Sequence, residues 1–132
     1  TVQQALPHLN NPASIVLTTS GVNKIGLPTS SVYSATKAAV RSFARTLSAE
    51  LIGRGIRVNA VSPGYTETPI FGRMGLSEEQ LQGIAADAVK SVPLGRMADP
   101  AEIARVALFL ASTDSSYLVG VEIDADGGQT SI

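Results

Sequence analysis

The sequence contains no cysteine and no tryptophan, and its 132 residues include a single histidine, His8. The lack of cysteine excludes disulfide scaffolds, thiolate zinc sites and cysteine nucleophiles. One histidine excludes a multi-histidine metal site, so we predict no metal centre. No apolar run approaches the roughly 20 residues of a membrane span, and no signal peptide is visible. We therefore expect a cytoplasmic protein with no membrane partner.

Charged residues are also scarce, at 16% of the chain, against about 25% in an average globular domain. This deficit indicates that part of the surface is covered by a partner chain or by a further part of the fold. The formal net charge of −1 argues against a nucleic-acid partner, which would require a basic excess on one face. Length and a hydrophobic content of 44% predict one domain over residues 1–132.

Short apolar runs alternate with helical patterns along the chain. Apolar runs predict three strands at 14–19, 56–61 and 119–125, and helices are predicted at 32–52, 77–90 and 103–111. Capping boxes at Ser77–Gln80 and Asp99–Glu102 mark two helix starts. Strands alternating with helices predict an α/β fold with a parallel sheet. Three strands are about half of a doubly wound (Rossmann-like) nucleotide-binding sheet, so we expect a partial domain of that type.

Tyr33 and Lys37 lie four residues apart in the longest predicted helix and therefore share one face. An ammonium held beside a phenol favours the phenolate, and a phenol in that setting can exchange a proton with an alcohol or carbonyl oxygen. Ser20 ends the first predicted strand, and the loop after it could bring its hydroxyl to the start of the helix. A hydroxyl there could stabilise the same reacting oxygen.

Five segments resemble, in the same order, segments of the short-chain dehydrogenase/reductase family. They are residues 14–20, 33–40, 57–69, 95–104 and 121–128. The first is similar to the family's strand with the catalytic serine, and the second to its tyrosine–lysine helix. The third is similar to the strand and Pro-Gly loop beside the nicotinamide. The resemblance covers nearly the whole chain and implies an oxidoreductase that transfers hydride between NAD or NADP and a small alcohol or ketone.

The resemblance also implies a role for each matching position. Tyr33 would be the general acid/base, and Lys37 would favour its phenolate and hydrogen-bond the nicotinamide ribose. Ser20 would hold the substrate oxygen. The cofactor-binding set would be Tyr33, Lys37, Pro63, Gly64, Thr66 and Thr68, with Pro63 and Gly64 forming the wall beside the nicotinamide and the two threonines contacting its carboxamide.

Other parts of the family pattern are not found in this sequence. No G-x-G-x-x-G occurs, and that turn binds the pyrophosphate. The sequence therefore resembles the C-terminal half of the fold, and the choice between NAD and NADP is not readable from it. The alternative is a non-catalytic remnant that acts only as an assembly or interaction module. Family membership implies a homo-oligomer, either a dimer or a tetramer.

Three further expectations concern residues around this site. In the family the stretch 65–94 is a variable substrate lid, and Gly72 and Gly75 fit a mobile segment. Its Ile70, Phe71, Met74 and Leu76 predict a partly apolar pocket. Four arginines of the longest helix and the segment after it, Arg41, Arg45, Arg54 and Arg57, are interpreted as solvated surface. Glu122, Asp124 and Asp126 alternate with apolar residues, which predicts a strand with one acidic face.

Overall fold

A computed structural model describes residues 1–69, 75 and 77–132. Three strands, β1 (Ala13–Thr18), β2 (Ile56–Pro63) and β3 (Glu122–Ala125), form a parallel sheet in the order β1-β2-β3. Within this part of the chain, four helices accompany the sheet: α1 (Val2–Ala5), α2 (Ser31–Leu51), α3 (Glu78–Ser91) and α4 (Pro100–Ala111). Short 3₁₀ turns lie at Leu6–His8, Gly21–Asn23, Ile52–Arg54 and Thr113–Ser115. The predicted α/β class with a parallel sheet is confirmed.

The central strand β2 is buried along nearly its whole length. Val58 on one face and Asn59 on the other are both fully buried, as expected for a parallel strand covered on both faces. Leu51 of α2 closes one core cluster with Ile56 and Val58. Leu110 of α4 is also fully buried, and α4 contacts β1, β2 and β3. The sheet therefore holds α2 and α4 in fixed positions.

Both predicted capping boxes are present. The Ser77 hydroxyl accepts from the Gln80 amide, and the Gln80 side chain accepts from the Ser77 amide. At α4, Asp99 and Glu102 form the corresponding pair, with Pro100 in the first turn. These reciprocal bonds satisfy amides that a helix start leaves without intrahelical partners.

The third strand is shorter than predicted, because it begins at Glu122 rather than at residue 119. The buried Asn59 side chain explains the difference. Its amide nitrogen donates to Leu118 O at 2.9 Å, and its oxygen accepts from the Val121 amide at 3.1 Å. Gly120, between them, has a φ of +69°. A side chain thus takes the place of part of the strand pairing just before β3.

The interpretation of the arginines as solvated surface is wrong for Arg57 and Arg41. Arg57 donates to Ser112 O, at the C-terminal end of α4, at 2.9 Å and to Ser115 O, in the 3₁₀ turn that follows, at 3.0 Å. Carbonyls there have no intrahelical donors, and a cation satisfies them and complements the helix dipole. Arg41 donates to Gly120 O at 2.8 Å. Both guanidiniums bind backbone far away in sequence.

None of the described helices is both long enough and apolar enough to cross a membrane.

Candidate active site

The candidate site lies at the carboxyl edge of the sheet. Parallel strands bring their carboxyl ends to one edge, and ligands bind there in open α/β folds. Ser20 follows β1, and Gly64 follows β2. A cavity of about 950 Å³ opens at this edge, within the size range of small-molecule sites. Its lining includes residues of the loop after β1, the first turns of α2 and the segment after β2.

Tyr33 lies in the first turn of α2, and its side chain is half exposed and lines the cavity. The Lys37 Nζ lies 5.6 Å from the centre of the Tyr33 ring. The same ammonium donates a hydrogen bond to Thr18 O, at the end of β1, at 3.1 Å. The i, i+4 spacing places both side chains on one face, and Thr18 fixes the ammonium there.

The structure brings most of the predicted site residues to one place. Six of the seven line the cavity: Ser20, Tyr33, Pro63, Gly64, Thr66 and Thr68. The seventh, Lys37, lies beside Tyr33. The Thr66 hydroxyl donates to Gly64 O at 3.1 Å, so this hydroxyl stabilises the loop itself. The roles of these residues stay predictions.

An apolar wall of the cavity comes from a segment that the sequence did not indicate. Val22, Ile25 and Leu27 of the loop after Ser20, with Val32 of α2, line this wall. The pocket was predicted from residues 65–94 instead. Of those, Ile70, Phe71, Gly72, Met74 and Leu76 lie outside the described residues, so the lid stays a prediction. Gly75 is described, with a φ of +67°.

The acidic face predicted for β3 is present, but at Glu122 it is not a solvated face. The Glu122 side chain is only 3% exposed. Its Oε1 accepts from the Thr19 hydroxyl at 2.5 Å and from Asn23 Nδ2 at 2.9 Å. Burial acts to raise the pKa of Glu122, but hydrogen bonds from Thr19, Asn23 and Lys24 outweigh burial and lower it. The carboxylate is therefore held ionised.

Two cations face this carboxylate. Lys24 Nζ lies 3.3 Å from Glu122 Oε2 and also pairs with Asp124, at 2.5 Å. Arg41 Nε lies 3.6 Å from Glu122 Oε2. Burial opposes the charge on Lys24, yet its hydrogen bonds to Asp124 and Glu122 outweigh burial and raise its pKa. No sequence pattern indicated this cluster, since its members come from the loop after β1, from α2 and from β3.

Comparisons with known proteins identify the class. A family model described as Enoyl-(Acyl carrier protein) reductase matches residues 1–130. The fold is that of a short chain dehydrogenase family protein from Francisella tularensis, with a TM-score of 0.88 and 31% identity over 99% of this chain and 56% of that one. The chain belongs to the short-chain dehydrogenase/reductase family.

Individual relatives are oxidoreductases. The chain is 41% identical over 128 residues to 3-oxoacyl-(acyl-carrier-protein) reductase FabG of Thermotoga maritima, which covers 96% of this chain and 50% of the relative. It is 32% identical, with a TM-score of 0.87, to the angucycline C-6 ketoreductase LanV with bound NADP, over 98% of this chain and 48% of that one. The chain thus spans about half the length of the relatives it matches.

Proposed function

We propose that this chain carries the proton-transfer and nicotinamide-binding part of an NAD(P)-dependent oxidoreductase that interconverts alcohols and carbonyls. The observation that carries the proposal is the placement of Lys37 beside the Tyr33 ring, with Ser20 and Tyr33 lining one cavity. Family membership supports the reaction class. A tyrosine at the mouth of a cavity, next to a fixed ammonium, is suited to proton transfer at a substrate oxygen.

Each of the three side chains has its own task. In carbonyl reduction, the Tyr33 hydroxyl gives its proton to the substrate oxygen as that oxygen gains charge, and solvent later reprotonates the phenolate. The Ser20 hydroxyl donates a hydrogen bond to the same oxygen. Lys37, held by Thr18 O, stabilises the phenolate by its charge. Oxidation of an alcohol runs through the same steps in reverse, with Tyr33 as the base.

The residues around the cavity fit the nicotinamide end of a dinucleotide. When bound, the dinucleotide supplies or accepts the hydride. An ammonium has three N–H donors, and Lys37 gives one to Thr18 O, so a ribose hydroxyl is a suitable second acceptor. Thr66 and Thr68 would bind the carboxamide, and Pro63 and Gly64 would pack beside the ring. The cofactor is NAD or NADP, and the residues of this site do not distinguish between the two.

Substrate chemistry follows from the cavity wall. Val22, Ile25, Leu27 and Val32 line it beside Ser20 and Tyr33, so a ketone or secondary alcohol with an apolar body fits better than a charged one.

We also propose that the chain assembles with further copies of itself. Family membership supports this, and Phe43 of α2 and Leu108 of α4, which are 59% and 68% exposed, are apolar side chains that a second copy could cover.

The test of the function uses Tyr33→Phe, with Tyr117→Phe as the matched control because the Tyr117 side chain is fully exposed. NADPH fluorescence is recorded on mixing, and NADPH oxidation is followed with ethyl acetoacetate and with cyclohexanone as carbonyl probes. We expect Tyr33→Phe to abolish turnover and to leave NADPH binding within about threefold of the original chain. Tyr117→Phe should retain both.

Two results would overturn the proposal. Substantial turnover in Tyr33→Phe would remove Tyr33 from the proton-transfer step. No change in NADPH fluorescence, together with no turnover in the original chain, would favour a non-catalytic assembly module instead.

A further inference from the structure

The buried carboxylate of Glu122 contacts both elements that carry the proposed catalytic side chains. We propose that Glu122 is a positioning residue, which holds the Ser20 segment and helix α2 in register with each other on strand β3. The effect of Glu122 on catalysis rests on the proposed function, whereas its effect on the order of the Ser20 segment does not.

The first set of contacts fixes the Ser20 segment. Thr19 and Asn23 both donate to Glu122 Oε1, and Lys24 pairs with Oε2. Thr19 lies one residue before Ser20, and Asn23 and Lys24 lie three and four residues after it. The backbone of the segment is a short 3₁₀ turn, Gly21–Asn23, which is too short to be stable without tertiary contacts. The carboxylate thus provides side-chain contacts on both sides of Ser20.

The second contact reaches helix α2. Arg41 follows Lys37 by four residues, so it lies one turn further along the helix that carries Tyr33. Its Nε lies 3.6 Å from Glu122 Oε2, and a terminal nitrogen donates to Gly120 O at 2.8 Å. Helix α2 is therefore tied to β3 by a charged side chain close to the site.

The charges in this cluster balance. Glu122 and Asp124 face Lys24 and Arg41, two acids against two bases. A buried carboxylate is costly unless it is paired and hydrogen-bonded. Here both oxygens have partners, and these come from two separate elements. A paired carboxylate of this kind fixes geometry, because displacing either element leaves a buried charge without part of its partners.

Glu122→Gln tests the structural part by amide hydrogen exchange in the full chain. The substitution keeps size and removes charge. The amides of Asn23 and Lys24 are hydrogen-bonded to Ser20 O and Gly21 O, so their exchange reports opening of the segment. We expect them to exchange about tenfold faster or more. Arg57→Lys is the control, since Arg57 binds the end of α4. This substitution should speed amide exchange at the end of α4 and not at residues 23–24.

A second, milder variant covers the case in which Glu122→Gln fails to fold. Thr19→Val is nearly isosteric and removes the hydrogen bonds of the Thr19 hydroxyl to Glu122 and to Val61 O. We expect faster exchange at residues 23–24 with the rest of the chain unchanged. Exchange rates at residues 23–24 that stay equal to those of the original chain, in whichever variant folds, would overturn the inference.

The catalytic part is tested by a double-mutant cycle with Ser20→Ala, using NADPH and ethyl acetoacetate. If Glu122 acts through Ser20, Glu122→Gln lowers kcat by about tenfold or more in the original chain. It changes the NADPH dissociation constant little. In the Ser20→Ala background the same substitution has little further effect on kcat. Equal losses in both backgrounds would overturn this part. Full kcat in Ser20→Ala alone would instead overturn the proposed role of Ser20. The positioning role of Glu122 would then still be judged by the hydrogen-exchange rates at residues 23–24.

Discussion

Gly64 packs against the backbone of Asp126 with no room for a side chain. A Cβ at Gly64 would lie 2.7 Å from the Asp126 Cα and 2.9 Å from its Cβ. This contact joins the segment after β2 to the segment after β3, at the edge of the sheet where the cavity lies. The absence of a side chain at residue 64 therefore sets how closely the two segments approach.

Gly64→Ala should destabilise the chain by about 1–3 kcal/mol, the usual cost of overpacking against backbone. Gly83→Ala is the matched control. Gly83 lies inside α3, and a Cβ there meets no atom within 4 Å. This control should stabilise the chain by about 0.5–1 kcal/mol through helix propensity. Urea denaturation measures both, and equal effects of the two substitutions would contradict the close packing at Gly64.

Local patterns predicted the helices, the strands and the placement of the site. Alternating apolar runs and capping boxes depend on neighbours in sequence, and these were found close to their predicted positions. Ser20 could be placed near Tyr33 because the loop after the first predicted strand leads to the start of the helix. The part of the site after Pro69 could not be compared, because most of residues 70–76 lie outside the described residues.

The remaining features depend on contacts between residues far apart in sequence. Arg57 binds carbonyls 55 and 58 positions away, and Thr19 binds Glu122 at a separation of 103. Nothing in the local pattern distinguishes Arg57 from the exposed Arg45, since both are long cations near apolar residues. Asn59 inside a strand gave no signal that its side chain would bond the backbone of Leu118 and Val121. Only the tertiary fold selects these partners.

Arg57→Met should destabilise the chain by about 2–3 kcal/mol, because several carbonyls at the end of α4 lose a charged donor. Arg45→Met is the control. Arg45 is exposed on α2, so its removal should change the free energy of unfolding by less than about 0.5 kcal/mol. Thermal unfolding of the two variants gives the comparison. A loss for Arg57→Met as small as that for Arg45→Met would show that water replaces the guanidinium at no cost.

The pH dependence of stability should depend in part on Glu122. Its pKa is lowered in the folded chain, so the unfolded chain binds more protons as the pH falls below about 5. The contribution is therefore complete above the unfolded pKa near 4.3 and is lost as the pH falls through the lower folded pKa. Lys24 and Arg41 lie beside the carboxylate, and Asp124 pairs with Lys24.

Unfolding of Glu122→Gln between pH 3 and 7 isolates this contribution. The pKa values of Asp126 and Glu102 are also lowered, that of Glu102 to about 2, so the original chain alone would not identify the group. We expect the stability difference between the original chain and Glu122→Gln to be largest near neutral pH and to shrink below pH 5. A difference that is constant over this range would assign the acid sensitivity to the other carboxylates.

Thr29 occupies a conformation that favours glycine. Its φ is +67°, which is rare for a β-branched residue, and it lines the cavity four residues before Tyr33. The Ser30 amide bonds Leu27 O at 3.3 Å, which makes residues 27–30 a turn with Pro28 and Thr29 at its centre. Proline followed by a residue of positive φ is the pattern of a type II turn, where glycine is preferred at the third position.

Thr29→Gly should therefore stabilise the chain by about 1 kcal/mol, the release of backbone strain less the entropy of the added glycine. Thr29→Ala is the control, because alanine removes the branch and the hydroxyl but keeps the Cβ that opposes positive φ. It should give no gain. Urea midpoints separate the two variants. If both were destabilised equally, the Thr29 hydroxyl rather than the turn conformation would be what the residue contributes. A gain confined to glycine would locate stored strain at the turn that leads into α2 and Tyr33.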